Sequence, residues 1–265
     1  MKSDKIIQFI TDWLRNYIEQ SKAKGFVIGI SGGIDSAVCS TLAARTGLPL
    51  LCVEMPIRQN LIQVPAARNH IAFLKENYPN TRTHEVDLTP VFDELIKVLP
   101  EAEDMRKKEI SLTNVRARLR MTTLYYFSGL YKYLVVGTGN KVEDFGIGFF
   151  TKYGDGGVDL SPIADLTKSQ VYKLGQELGI IESIMTAPPT DGLWADHRTD
   201  EDQIGASYPE LEEAMAFCGD EETLGSSQRE VLKIYRTLHK TNLHKIVPVP
   251  LCKIPENLIK PAFQN

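Results

Sequence analysis

Apolar residues recur along the chain in two rhythms. At the N-terminus they fall three and four apart, at Ile6, Ile7, Phe9, Ile10, Trp13, Leu14, Tyr17 and Ile18, which predicts an amphipathic helix behind Ser3 and Asp4. Gly25 interrupts that rhythm, and the continuous apolar run FVIGI at 26–30 reads as a short strand buried on both faces. A glycine loop follows, then a helix over 36–45 ended by Gly47, a second strand LPLLCVEM at 48–55 and a helix over 64–77. HEVDL at 84–88 reads as a third strand, Thr89-Pro90 as the capped start of another helix, and YLVVGT at 133–138 as a further buried strand. Buried strands alternating with helices predict an α/β fold with a three-layer, doubly wound, mostly parallel sheet, because parallel strands need crossovers that cover both faces.

Two segments depart from this pattern. In 115–131, ten of seventeen residues are apolar, Leu119, Leu124, Tyr126 and Leu130 among them, and they wrap most of the way round a helix. A helix lying on a sheet needs one apolar stripe, so the surplus implies cover by another layer or by another subunit. A homodimer through helix 114–131 is expected, twofold dimers being the commonest assembly. The Pro/Gly/Asp-rich stretch 186–206 is the one long loop candidate, of a length typical of lids and binding loops. With no internal repeat or low-complexity linker, residues 1–265 read as a single domain.

Composition narrows the function classes. A chain of 265 residues, 43% hydrophobic, can bury its own core without disulfides or a structural metal. Its net charge of −4 supplies no general phosphate-neutralising field, which argues against a nucleic-acid binder. No apolar run is long enough to span a bilayer, and the charged N-terminus lacks the features of a secretory signal. Cys39, Cys52, Cys218 and Cys252 are scattered with no CxxC pair, as expected for reduced thiols in a cytoplasmic protein.

The strongest chemical signal is GISGGIDSAV at 29–38, where the first strand gives way to a helix. Ser31, Gly32 and Gly33 let several backbone N–H groups converge, the helix adds its positive end, and Ser31 and Ser36 add hydroxyls: an anion nest. It is not a Walker A loop, since the GK[ST] ending is missing. Asp35 is the anomaly, because a carboxylate among phosphate-binding amides repels phosphate unless a cation intervenes, which implies Mg²⁺. A plain glycine turn with Asp35 as a helix-start charge is the bland alternative. A second block, GFFTKYGDGGVDLSPIADLTK at 148–168, combines an open glycine backbone with Lys152, Asp155, Asp159 and Lys168, and could hold a zwitterionic or polyphosphate ligand or be a charged surface turn.

SGGIDS in this position resembles the signature of the N-type ATP-pyrophosphatase superfamily, which includes NAD synthetases, GMP synthetases, argininosuccinate synthetases and tRNA-thiolation enzymes. The second block resembles the central motif of ammonia-dependent NAD synthetases. VVGTGNKVE (135–143), NVRARLRM (114–121) and LHKIVPVP (243–250) resemble further stretches of that family, so the likeness runs nearly end to end. It implies a Rossmann-like, adenine nucleotide alpha hydrolase-like fold, with no glutaminase domain. The implied reaction is ATP-dependent amidation of deamido-NAD with ammonia through an acyl-adenylate, releasing AMP and pyrophosphate. A GMP synthetase-like amidotransferase is the alternative.

Carried over by motif, Gly29, Ile30, Ser31, Gly32, Gly33, Ile34, Asp35 and Ser36 correspond to the ATP loop, and Thr138, Lys168 and Thr190 to further ATP contacts. Asp35 and Glu143 correspond to magnesium ligands. Arg118, Lys152, Asp159, His244 and Lys245 correspond to deamido-NAD contacts, with Asp159 and Lys168 as catalytic candidates. Between Glu143 and Phe149 the sequence departs from the family pattern: DFGIG replaces a different linker that is one residue shorter. Arg116, Arg118 and Arg120 alternate along a helix, so at most one or two can reach a shared site.

Overall fold

The computed structural model describes residues 1–58, 64–189 and 199–259. Its centre is a four-stranded, all-parallel sheet of β1 (Gly25–Gly29), β2 (Leu50–Glu54), β3 (Thr81–Glu85) and β4 (Tyr133–Val135), in the spatial order β3-β2-β1-β4. The first three strands step outward in one direction. The chain then crosses back to lay β4 on the other side of β1, pairing Phe26 with Leu134 and Val27 with Val135. The reversal opens a crevice at the carboxyl ends of β1 and β4, where ligands of such sheets bind.

Alternation along the central strands divides the core. Phe26, Ile28, Leu50 and Cys52 point to one face, covered by α1 (Ser3–Ser21), α2 (Ile34–Arg45), α3 (Val64–Asn77) and α6 (Lys168–Glu177). Val27, Leu51, Val53 and Val135 point to the other, covered by α4 (Thr89–Val98) and α5 (Met105–Tyr131). A third cluster lies beyond β4. There the short α7 (Glu182–Met185) and α8 (Asp200–Ile204) precede α9 (Tyr208–Ala216) and α10 (Ser226–Ile246). Val142, Ile147, Tyr208, Leu211 and Leu232 pack together in this cluster, and α11 (Glu256–Ile259) ends the described chain. No helix among the described residues is long and apolar enough to cross a membrane.

The third strand lies three residues before the expected HEVDL. It is TRTHE, polar because an edge strand at Glu85 and Arg82 has no second neighbour and needs no continuous apolar face. The apolar residues that attracted the prediction, Val86 and Leu88, continue the extended path and donate backbone hydrogen bonds to Glu54 and Pro56. Within 186–206, residues 200–204 form a helix rather than loop, capped by Thr199 and Asp202 in reciprocal hydrogen bonds.

Helix α5 accounts for much of its apolar surplus. Val115, Leu119, Leu124 and Phe127 pack toward the sheet, while Tyr126 and Leu130 face outward, 64% and 56% exposed. The alternating arginines separate as expected: Arg116 lies over the Phe92 ring, Arg120 donates to the Met55 carbonyl, and Arg118 points elsewhere.

Candidate active site

The nest loop runs from β1 into α2. Gly32 adopts φ +86°, which favours glycine because it has no Cβ. The loop is braced from within: the Ser31 and Ser36 hydroxyls lie 3.0 Å apart, Ser36 donates to the Gly33 carbonyl at 3.0 Å, and the Gly33 N–H donates to Ser31 Oγ at 3.2 Å. Ser36 and Ile34 are buried, so they shape the loop from below, whereas Ser31 and Gly33 are exposed. No side chain caps α2, leaving the first-turn amides free to face an anion at the mouth of the crevice.

Across the crevice, the chain leaving β4 passes Thr138 and Gly139 and enters a π-helical turn, Lys141–Ile147. Asn140 caps that turn, its Oδ1 accepting from the Val142 and Glu143 amides, while its Nδ2 donates to Asp35 Oδ1 at 3.2 Å. One buried amide thus joins the two sides of the crevice. The π turn presents Glu143 inward, toward Lys168. At the far end of the turn, Asn242 and His239 of α10 bond the carbonyls of Ile147 and Gly146. Gly139 is required by close approach, since a Cβ there would lie 1.9 Å from the Asp144 carboxylate.

Three residues far apart in the sequence meet here. Lys168, only 4% exposed at the start of α6, donates from Nζ to Asp35 Oδ2 at 2.5 Å and to Glu143 Oε1 at 2.8 Å. Burial pushes the Asp35 carboxyl up, the ammonium pulls it down and Glu143 pushes it up again, for a net upward shift. Burial acts upward on Glu143 too, but the Lys168 ammonium and its hydrogen bond outweigh it, so its carboxyl lies below the usual range. Burial alone would lower the Lys168 pKa; the two carboxylates raise it instead, and the lysine stays charged.

A second cluster surrounds residues 149–157. Arg118 Nη2 donates to the Lys152 carbonyl at 3.3 Å, Lys152 Nζ to the His244 carbonyl at 2.5 Å, and Lys245 Nζ to the Phe150 carbonyl at 2.7 Å. The exposed His244 ring bonds the Thr241 carbonyl of its own helix, so only its backbone joins the cluster. Asp144 links the two clusters. Its carboxyl is pushed well up by burial and by Asp155, Glu143 and Asp35, and pulled down by Lys245. Asp159 is held beside Tyr125, two helical turns beyond Arg118 on α5, its oxygens accepting from the Tyr125 hydroxyl at 2.9 Å and the Val135 amide at 2.8 Å. Thr190 lies outside the described residues.

Asn140, Tyr125 and Tyr208 were missed from the sequence. Asn140 carried a usable signal, as the residue just after the VVGTG strand end and three before Glu143. Tyr208 carried none, because its role depends on contacts with distant segments.

No group of three or more His, Cys, Asp or Glu among the described residues could hold a metal alone. One carboxylate within the nest loop and a second across the crevice nevertheless fit Mg²⁺, which typically takes one or two carboxylates and completes its shell with water and substrate phosphates.

The family model for NAD synthase matches residues 6–248. An NH(3)-dependent NAD(+) synthetase of Carboxydothermus hydrogenoformans is 35% identical over 254 residues, covering 94% of this chain and 97% of that protein. One from Alkaliphilus metalliredigens is 37% identical over 258 residues, covering 94% and 98%. Among solved structures, the NMN synthetase from Francisella tularensis is similar at TM-score 0.82 and 30% identity, covering 96% of this chain and 99% of that one. The NH3-dependent NAD synthetase from Campylobacter jejuni, in complex with nitrate, is similar at TM-score 0.75 and 27% identity, covering 96% and 100%. These likenesses favour the NAD synthetase reading over a GMP synthetase-like one, and this chain belongs to the NAD synthase family.

Proposed function

We propose that this protein is a C–N bond-forming ligase that amidates deamido-NAD with ammonia at the expense of ATP, yielding NAD, AMP and pyrophosphate. The observation that carries the proposal is the convergence of Asp35, Glu143 and Lys168 beside an uncapped helix N-terminus at the sheet's switch point. A carboxylate is a poor electrophile. Its oxygen therefore attacks the α-phosphorus of ATP, pyrophosphate leaves, and ammonia then attacks the acyl-adenylate carbon and expels AMP.

The chain's share in this is positioning and electrostatics. The amides of loop 29–36 hold the departing phosphates, with Thr138 and Thr190 as further nucleotide contacts. Lys168 places a fixed positive charge beside the transferring phosphorus. Asp35 and Glu143 would hold Mg²⁺, which supplies charge neutralisation to the triphosphate when bound. Arg118, Lys152, Lys245 and His244 orient the dinucleotide, and Asp159 receives ammonium or its proton. Its double anchoring by Tyr125 and Val135 supports a fixed role. Residues 1–265 work as one domain fed directly by ammonia, in a homodimer through helix 114–131. Free thiols at Cys39, Cys52, Cys218 and Cys252 support a reducing, cytoplasmic setting.

A second reading has one observation in its favour. The NMN synthetase neighbour overlays more closely than the NAD synthetase from Campylobacter jejuni. In that reading the acid amidated is the mononucleotide. The test is to supply Mg-ATP and ammonium with deamido-NAD or nicotinic acid mononucleotide in separate reactions, and to measure amide product and AMP. NAD and AMP in equal amounts, with the dinucleotide preferred in kcat/KM, is the expected result. Preference for the mononucleotide establishes the second reading, and AMP formation with neither acid overturns both.

A further inference from the structure

We propose that Tyr208 is a positioning residue for the activating site: its ring completes the coordination of the Lys168 ammonium, and its hydroxyl anchors that ring to Asp200. The inference rests on reading that site as the one where ATP is bound. An ammonium has three N–H donors. Two of them go to Asp35 and Glu143. In a pocket that leaves Lys168 4% exposed, water does not readily take the third. The Tyr208 ring does, its centroid 4.9 Å from Nζ, with the negative π face turned toward the charge.

The hydroxyl of the same side chain donates to Asp200 Oδ2 at 3.1 Å, at the start of α8. That bond holds the ring in place over the lysine. Tyr208 and Asp200 are both buried, at 3% and 6% exposure, so bulk solvent does not compete for the bond.

Helix α9 is built to hold Tyr208 at this point. Its N-terminus is closed by reciprocal bonds between Ser207 and Glu210, and the Tyr208 amide donates to Glu201 Oε1 at 3.0 Å. One turn further along, Glu212 Oε1 accepts from the Ser169 amide at 2.8 Å, next to Lys168 itself. The same helix thus grips α6 twice, at the backbone beside the lysine and at the lysine's charged end. A helix serving only to pack the outer core would need neither contact.

The experiment compares Tyr208→Phe, Tyr208→Leu and Glu212→Gln with the wild type. It measures ATP affinity by calorimetry without any second substrate, steady-state kcat and KM for ATP, and the thermal midpoint. Tyr208→Phe keeps the ring and loses its anchor on Asp200; turnover should fall about tenfold with ATP affinity within about threefold of wild type, the size expected for one buried hydrogen bond to a charged group. Tyr208→Leu removes the ring as well and should weaken ATP binding by a further factor of about ten. Glu212→Gln, which retains the side-chain volume, should raise KM for ATP in the same direction. Equal behaviour of the Phe and Leu variants, or wild-type ATP affinity and turnover in both, overturns the proposal. So does a loss of turnover matched entirely by a lower folded fraction. Failure of the wild type to form an amide sinks the proposed reaction instead, while the ATP affinities of the variants still test the positioning role.

Discussion

Replacing Lys168 with methionine keeps most of the stem volume and removes the charge that two carboxylates share. Asp35 and Glu143 would remain 15% and 14% exposed, facing each other with no ammonium between them. Removing one partner of a buried ion pair typically costs about 3–5 kcal/mol. Because both carboxylates keep some contact with solvent, about 3 kcal/mol is expected here, equivalent to a fall of roughly 6–12 °C in thermal midpoint for a chain of this size. The loss has a definite pH signature. Without the lysine, the folded-state carboxyl pKa rises above its unfolded value, so the folded state binds more protons than the unfolded state. Stability should therefore be lowest at neutral and alkaline pH and recover as the pH falls toward 5. Magnesium chloride should raise the variant's midpoint more than the wild type's, and sodium chloride of equal ionic strength should not, since a divalent cation can take the vacated place. Thermal unfolding at pH 8 and pH 5, with and without magnesium, reads all three effects. A variant that unfolds within about 1 °C of wild type at pH 8, or loses the same stability at both pH values, would refute the claim that this lysine neutralises a coupled carboxylate pair.

Three further outcomes are expected. His70 is fully buried against Ser40, and burial lowers its pKa to about 4. The unfolded chain therefore takes up its proton first, and the wild type should lose stability relative to His70→Gln as pH falls from 6.5 toward 4, by roughly 1.4 kcal/mol per unit in urea titrations; parallel curves would contradict this. Asp159→Asn should cut turnover at saturating substrate by about a hundredfold with little change in KM, whereas a change confined to dinucleotide KM would leave Asp159 a binding contact only. Leu130→Asp, at an outward position of α5, should convert a dimer to a monomer in sedimentation equilibrium, and a wild type that already sediments as a monomer would end the dimer proposal.

Much of the framework was legible because the signals were local. FVIGI, buried on both faces, could hardly be anything but a central parallel strand, and the glycines with Asp35 that follow it marked the nest. The third strand was displaced because an edge position relaxes the need for apolar residues, so TRTHE carried no hydrophobic signal while its neighbours did. The π-helical turn at 141–147 was visible only as a linker of unexpected length, since an i→i+5 turn has no residue pattern of its own. The arginine alternation, by contrast, followed directly from helical geometry.

The amino-acid order alone determined that a glycine-rich loop with the composition of an anion nest leaves the first strand, that an acidic side chain is embedded in it, and that lysines and carboxylates accompany a glycine-rich second block. These depend on neighbours a few residues apart, where backbone geometry limits the choices. Tertiary structure alone decided that Lys168 satisfies two carboxylates 133 and 25 residues away, that Asn140 joins the crevice walls, and that the Tyr208 ring lies over the same ammonium. The reversal of strand order beside β1 brings those segments together. Once water is excluded there, each buried charge must find its partners within the protein, whatever their separation along the chain.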